Sequence, residues 1–411
     1  MQYRIDKKSG HSLSALGMGC MRFPKSGPRF AFSGSQSFGA IDYPKTEALV
    51  MGAIQSGVNY FDTAYIYPGS EETLGAILRR NNVRERVFIA TKMPVIICKQ
   101  PADFDTFFDK QRERLQTDSI DYYLMHMLTD FASWEKMKEF GIVEWAAAKK
   151  KSDAIRQFGF SFHGKRDEFC TILDDFDWDF CQIQYNYSDE NYQAGVTGLK
   201  KAAAKGIPVI IMEPLLGGKL ARNLPPPVAS VFRDATPSSI PVSPADWALK
   251  WLWDQPEVTV VLSGMTTEAD LTENLRCCEQ SGVGSVTGAE REAYEKARAA
   301  FRASSKVPCT GCGYCMPCPR GVNIPSCFAA FNTSFAFGKI QGWQQYVTSN
   351  GLTSDTPSNA GRCVRCKKCE SHCPQNIAVS DALSIVRKRM EPLWFRAGVN
   401  IARTFLGRKR F

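Results

Sequence analysis

Two short runs of cysteine near the end of the chain restrict its fold more than any other feature. The first is Cys309, Cys312, Cys315 and Cys318, followed by Pro319, and the second is Cys363, Cys366, Cys369 and Cys373, followed by Pro374. Together they hold eight of the 15 cysteines. Spacing of this kind suits cubane iron–sulfur ligation, in which three thiolates come from one compact turn and a fourth arrives from elsewhere. Where two cubanes share a small domain, the fourth cysteine of each run serves the other cluster. Cys309, Cys312, Cys315 and Cys373 would then hold one [4Fe–4S] cluster, and Cys363, Cys366, Cys369 and Cys318 the second. The second run has the full C-x2-C-x2-C-x3-C-P pattern. The first is one residue short before Cys318, which leaves its last ligand open.

Zinc is the main competitor, but zinc motifs offer two ligands per knuckle rather than four at this spacing. Disulfides fit less well, because the first residues, Met1-Gln2-Tyr3-Arg4-Ile5-Asp6, form no apolar signal segment and point to a reducing cytoplasm. Cys327 is an alternative ligand by position and reads as a packed core thiol. Cys20, Cys98, Cys170, Cys181, Cys277 and Cys278 lack ligand spacing and read mostly as buried small hydrophobes.

Apolar residues make up 44% of the 411 and charged residues 23%, the balance of a globular protein, and no apolar run reaches the length of a membrane helix. The net charge of +9 raises the question of nucleic acid. From Arg387 onward, however, eight basic residues face one acid, Glu391, so nearly all of the excess lies in the tail. Two cubanes with their thiolates would bring the total down to about +5. No nucleic-acid groove is expected.

The first 300 residues alternate short apolar runs with longer amphipathic ones, the pattern of repeated βα units. Strands are expected at 16–20, 59–61, 87–91, 121–125, 158–161, 180–185, 208–212 and 258–262. Helices are expected at 44–56, 71–81, 103–116, 200–205 and 244–253. Eight units of this length fit a (β/α)8 TIM barrel whose base is closed by a hairpin around residues 8–11. A Rossmann domain is the rival, but Gly17-Met18-Gly19 lacks the third glycine of its fingerprint. The proline-rich stretch 215–244 reads as a long loop, 290–304 as a last helix, 328–346 as one or two short helices and 353–361 as a flexible approach to the second cysteine run. The expected organisation is a barrel over 1–304, a small α+β or α-rich iron–sulfur domain over 305–386, and a basic tail over 387–411. The tail reads as a solvated helix or frayed terminus rather than a membrane-surface anchor built on Trp394, Phe395 and Phe405.

Chemistry in such barrels collects at the C-terminal ends of the strands. The second expected strand ends in Asp62, with Tyr67 shortly after it, the third in Lys92 and the fourth in His126. A phenol is a poor proton donor until a neighbouring cation stabilises its phenolate. Lys92 would do this, Asp62 would keep Lys92 charged, and His126 could orient a carbonyl. Each residue alone has an ordinary structural explanation as a turn cap, a rim lysine or a core histidine. Four at successive strand ends suit proton delivery to the oxygen of an aldehyde or ketone.

These residues carry a resemblance. Phe61-Asp62-Thr63-Ala64, Tyr67, Ser70-Glu71, Ala90-Thr91-Lys92, Asp121-Tyr122-Tyr123-Leu124-Met125-His126, Gly159-Phe160-Ser161, Gln182 to Asn186, Glu213 to Gly218, Ser263-Gly264-Met265 and Glu273-Asn274 resemble the aldo-keto reductases. The cysteine region resembles the ferredoxin-like domain fused to one branch of them. The resemblance implies Tyr67 as proton donor, assisted by Lys92 and Asp62, with His126 orienting the substrate. It also implies a nicotinamide cofactor, NADP or NAD, with Ser161 and Gln182 on the carboxamide and Met212 in place of the usual stacking ring. Pro214, Leu215 and Gly217 would lie near the pyrophosphate, and Ser263, Gly264, Met265 and Asn274 along the adenosine half. Residues 265–270 supply no Lys or Arg for a 2′-phosphate. The function expected is reduction of a small carbonyl compound or oxidation of an alcohol, with ferredoxin or another redox protein as electron partner. The alternative is an electron-transfer or partner-binding protein on a catalytically silent barrel.

Overall fold

The computed structural model describes residues 1–26, 40–222, 224–236, 242–303, 305–309, 311, 315–373 and 376–410. Cys312 and Pro374 therefore lie outside the described residues. A hairpin of β1 (Tyr3–Ile5) and β2 (Ser12–Ser14) precedes eight parallel strands: β3 (Leu16–Gly19), β4 (Tyr60–Asp62), β5 (Phe88–Met93), β6 (Ile120–Leu128), β7 (Ile155–Phe162), β8 (Phe180–Gln184), β9 (Val209–Met212) and β10 (Val258–Ser263). They close in sequence order, with β10 paired to β3, as the alternation of apolar and amphipathic runs predicts.

Side chains fill the barrel rather than leaving a pore. Tyr60, Ala90, Tyr122, Leu124, Phe180, Ile210 and Val260 meet on the axis, and Leu13 of the hairpin plugs the base. A larger apolar layer lies between the strands and the surrounding helices. Burying both faces of the sheet explains why the strands are continuously apolar instead of alternating. Asp121, fully buried in β6, accepts from Arg84 and Arg156 at 2.8 Å each and from the Ile89 amide, so it clamps neighbouring strands rather than joining the site.

The stretch 215–244 is not a continuous loop. It contains the helices Lys219–Arg222 and Pro226–Ala235. Pro226 and Pro227 occupy the first turn of the latter, where a missing N–H costs nothing, and Val228 and Phe232 bury its inner face. Helices absent from the expected set appear at Phe131–Glu139, Ile142–Lys151, Arg166–Asp175 and Glu268–Gln280.

Beyond the barrel, the helices Ile324–Ala336, Lys339–Ser349, Val379–Met390 and Leu393–Phe405 enclose a second core of Val322, Phe328, Phe331, Leu352, Leu383, Val386 and their neighbours. No strand appears among the described residues here, so this region is α-rich rather than α+β. Helix Val379–Met390 runs across the expected boundary at 386, with Val386 and Met390 both fully buried. Cys327 is fully buried, its thiol donates to the Asn350 side-chain oxygen Oδ1 at 3.3 Å, and it does not line the cavity of the other cysteines. Among the described residues no helix is long and apolar enough to cross a membrane.

The second region rests on the C-terminal end of the barrel. Thr356 donates to Asp130, beyond β6, at 2.8 Å. Gly311, inside the first cysteine run, packs against Asn191, beyond β8, and Phe337 lies over the Lys219 ammonium at 5.3 Å.

Candidate functional site

Each residue of the predicted tetrad reaches the barrel mouth by a definable local device. Asp62 closes β4 and Lys92 lies one residue from the end of β5. The Lys92 ammonium donates to both Asp62 oxygens at 2.7 Å and to the Thr63 carbonyl at 2.6 Å, so all three of its protons are used. Both side chains are buried. Burial lifts the Asp62 carboxyl above its usual range, while Lys92 pulls it back.

Tyr67 sits in the turn that starts helix Ser70–Arg80. Its amide donates to Ala64 and its carbonyl accepts from Ser70. The Ser70 hydroxyl is shared with Thr63 and bonds the Cys20 carbonyl, and the buried Glu71 accepts from Thr91 and Gln111. The turn is thus bolted to β3, β4 and β5. Lys92 lies 5.3 Å from the centre of the Tyr67 ring. Burial, with Asp62 and Glu213 nearby, raises the Tyr67 hydroxyl far above the usual phenol range.

His126 stands at an irregularity in the pairing of β6 with β7, which is lost between Met125 and Leu128. Met127 takes φ 59°, and its freed amide donates to Ser161 Oγ at 2.9 Å. Bulges of this kind re-aim a side chain beside an active site. The His126 ring meets Tyr67 edge-on, 6.0 Å between centres, and burial together with Lys92 holds it well below the usual histidine range. The imidazole is neutral at pH 7.

The expected cofactor residues divide into three groups. Ser161 and Gln182 line the mouth, with Gln182 buried against Asp62 and its Oε1 lacking any hydrogen-bond partner among the described residues. Met212, Pro214, Leu215 and Gly217 form the turn leaving β9, and Met212 is half-buried. Ser263 accepts from Asn274 at 2.6 Å, Gly264 is exposed, and Met265 is packed into the core.

Sequence reasoning gave no role to three charged neighbours. Arg22 follows β3 and approaches Gly217 so closely that a Cβ there would stand 2.8 Å from its guanidinium. Lys219 and Glu213 flank the same turn, and burial lowers the Lys219 ammonium to about 8. The strand-end rule that found Lys92 points equally to Arg22, which follows the first barrel strand. His163, just beyond β7, is a second buried imidazole, bonded to Gln193.

In the other region, Cys318 lines one cavity with Cys363, Cys366 and Cys369, alongside Ile324 and Leu383. Cys309, Cys315 and Cys373 pack against the second core. The two runs share a backbone device. Gly311 and Arg365 occupy equivalent places, take φ 70° and 59°, and donate their amides to Cys309 Sγ at 3.5 Å and Cys363 Sγ at 3.4 Å. Among the described residues no His, Cys, Asp or Glu trio is drawn together as a lone metal ion requires, and no disulfide joins the described cysteines. Four thiols spread around a cavity suit a polynuclear cluster better than a zinc ion.

A parallel barrel thus carries a buried acid–lysine pair, a phenol and an imidazole together at its strand ends. The sequence model of the aldo/keto reductase family matches residues 15–283, and the chain belongs to that family. The model of a 4Fe-4S dicluster domain matches residues 308–378. Among curated proteins, L-galactose dehydrogenase of Arabidopsis thaliana is 27% identical over 283 residues, covering 62% of this chain and 86% of that protein. Aldo-keto reductase str7 of Strobilurus tenacellus is 32% identical over 127 residues, 29% of this chain, which spans only 35% of that protein's length. An aldo-keto reductase structure from Bacillus halodurans, in its holo form, superposes with a TM-score of 0.59 at 22% identity, covering 72% of this chain and 96% of its own, a likeness of fold.

Proposed function

We propose that the barrel reduces the carbonyl group of a small aldehyde or ketone, or oxidises the corresponding alcohol, with a nicotinamide dinucleotide, while two [4Fe–4S] clusters exchange electrons with a redox partner. The observation that carries the barrel reading is the Lys92 ammonium held by both oxygens of Asp62 beside the Tyr67 ring.

A nicotinamide bound at the mouth would supply the hydride. The Gln182 Oε1, buried and unpartnered, would accept a hydrogen bond from its carboxamide, and the Ser161 hydroxyl lies on the same side. Arg22 and Lys219 supply positive charge beside the Gly217 turn, where a pyrophosphate needs it, and Glu213 offsets part of it. Residues 265–270 remain without a cation, but Arg222 reaches Asp270 at 2.7 Å from the neighbouring helix, so the charge facing the adenosine end is largely cancelled. This arrangement accepts NAD and gives NADP little advantage.

Tyr67 delivers the proton. Its raised pKa keeps the hydroxyl protonated before the reaction, and the positive charge of Arg22, with the Lys92 ammonium 5.3 Å from the ring centre, favours the phenolate as the proton leaves for the substrate oxygen. The neutral His126 donates a hydrogen bond to the same oxygen and fixes the carbonyl plane. Asp62 holds Lys92 charged and in place.

Residues 305–386 would hold the clusters as the cysteine pattern predicts: Cys318, Cys363, Cys366 and Cys369 around one, and Cys309, Cys312, Cys315 and Cys373 around the other. Thiolate ligation with amide N–H groups aimed at sulfur fits such a centre. A Cβ added at Gly311 would stand 3.4 Å from the Asn191 side chain, beyond β8, and Cys366 is exposed. A hydride moves two electrons at once and a cubane one, so nicotinamide-driven carbonyl reduction is complete without the clusters, and coupling the two would require a carrier, such as a flavin, that takes up a pair and passes single electrons.

Replacing Tyr67 with Phe tests the barrel reading. The turnover number for carbonyl reduction is expected to fall about 10²- to 10⁴-fold with nucleotide affinity unchanged. Near-normal turnover would remove Tyr67 from the mechanism and favour the silent-barrel alternative.

A further inference from the structure

The helix Leu393–Phe405 is fastened on one side and bare on the other. Val399 and Arg403 are buried, and Arg403 donates to the carbonyls of Leu352 at 2.7 Å and Ser354 at 2.6 Å. Phe395 stacks on Trp343. The segment is therefore docked onto the second core, contrary to the solvated or frayed tail that its composition predicts.

On its outer side Leu393 is 82% exposed, Trp394 61%, Ile401 59% and Phe405 81%. At the helical repeat, Trp394, Ile401 and Phe405 fall on one narrow stripe, with Leu393 and Ala397 along its edge and Val399 and Arg403 opposite. One exposed leucine is ordinary, but four large apolar side chains on a single short helix mark a contact surface.

The charge around the stripe selects what covers it. From Pro392 to the end there are five cations and no acid. Arg403 is engaged inside, and Arg408 pairs with Asp355 at 3.3 Å. Lys409 and Arg410 are exposed just beyond the end of the stripe, and Arg387 and Lys388 are exposed on the preceding helix. A second copy of the same face would bring like charges together. We propose that this face seats the protein on an anionic lipid surface, with the helix lying in the plane of the headgroups and Trp394, Ile401 and Phe405 inserted below them. The helix is about 20 Å long, too short to span a bilayer, and its tryptophan and flanking cations are the side chains that interfacial helices use. The hydrogen bonds and ring contacts of this helix involve none of the tetrad residues, so seating adds location to the barrel's chemistry without entering it.

The test uses the full-length protein, kept anaerobic, sedimented with vesicles of phosphatidylcholine alone or mixed with phosphatidylglycerol. Binding to the anionic vesicles is expected to be at least about tenfold tighter than to the neutral ones and to weaken as salt is added. Ile401→Glu combined with Phe405→Glu should lower it about tenfold or more, with the melting temperature and carbonyl turnover unchanged. Lys409→Gln with Arg410→Gln alters only exposed side chains and serves if the first variant fails to fold; it too should weaken binding to anionic vesicles. Absence of binding to anionic vesicles would overturn the proposal, as would equal binding by a folded variant. Sedimentation showing a dimer that the same substitutions dissolve would overturn it in favour of a second copy.

Discussion

The barrel and the cysteine-rich region hold their chemical groups by opposite means. In the barrel a closed parallel sheet exists before any cofactor, and each tetrad residue hangs from a strand end or from a turn bolted to one. The 305–386 region has no strand among its described residues. Its cysteine turns are loops, tied down by amide–sulfur contacts and a modest core. A site built on a sheet keeps its geometry when empty, whereas one built on thiolate loops depends on what the thiolates bind. On the proposed function, the same chain pairs a preformed catalytic site with a domain completed by its metal.

Stripping the clusters should separate the two regions most sharply. Anaerobic protein is expected to contain about eight irons and eight sulfides per chain. Chelation after oxidation should increase hydrogen exchange throughout 305–373 while β3 to β10 stay protected. Equal loss of protection in the barrel would break the contrast, and recovery of zinc instead of iron would remove the cluster reading.

Asp62→Asn probes the preformed site. It leaves the buried Lys92 ammonium without its counter-charge, a change that costs about 3–5 kcal/mol in comparable buried pairs. Thermal unfolding of the barrel should report the loss, together with a fall in turnover. A variant as stable as the parent would mean that solvent reaches Lys92 more freely than its burial implies.

A smaller effect concerns Lys219. Burial lowers its ammonium to about 8, so it is charged below that pH and neutral above it. If it helps to hold the dinucleotide pyrophosphate, nucleotide affinity should decline as pH rises through about 8. Lys219→Met should bind more weakly at pH 7 and lose this dependence. Binding titrations across that range decide it, and an unchanged profile in the variant would place the pyrophosphate elsewhere.

The sequence discloses these regions unevenly, for physical reasons. Asp62, Lys92 and His126 are legible because a parallel barrel exposes its strand ends at one rim, so position in the strand gives position in the site. Gly311 and Arg365 show the same economy, since cysteine spacing alone fixes the turn. Arg22, Glu213 and Lys219 are less legible, because the loops after β3 and β9 meet only when the sheet closes. Pro225-Pro226-Pro227 reads as a breaker in sequence, yet two of the three open a helix whose inner face the barrel's outer layer buries. The last helix reads as a tail because its polar anchor is one buried arginine, and nothing in local sequence distinguishes Arg403 from its exposed neighbours.

The most direct test of the barrel's chemistry is transfer of deuterium from nicotinamide dinucleotide labelled at C4 of the reduced ring, followed by mass spectrometry of the product. A short aldehyde serves as substrate, with the parent protein and Tyr67→Phe compared in single turnover. Deuterium on the former carbonyl carbon with the parent, and a rate lower by about two orders of magnitude or more with the variant, is the predicted result. No label in the product, or equal rates for the two proteins, would contradict a tyrosine-assisted hydride transfer in this barrel.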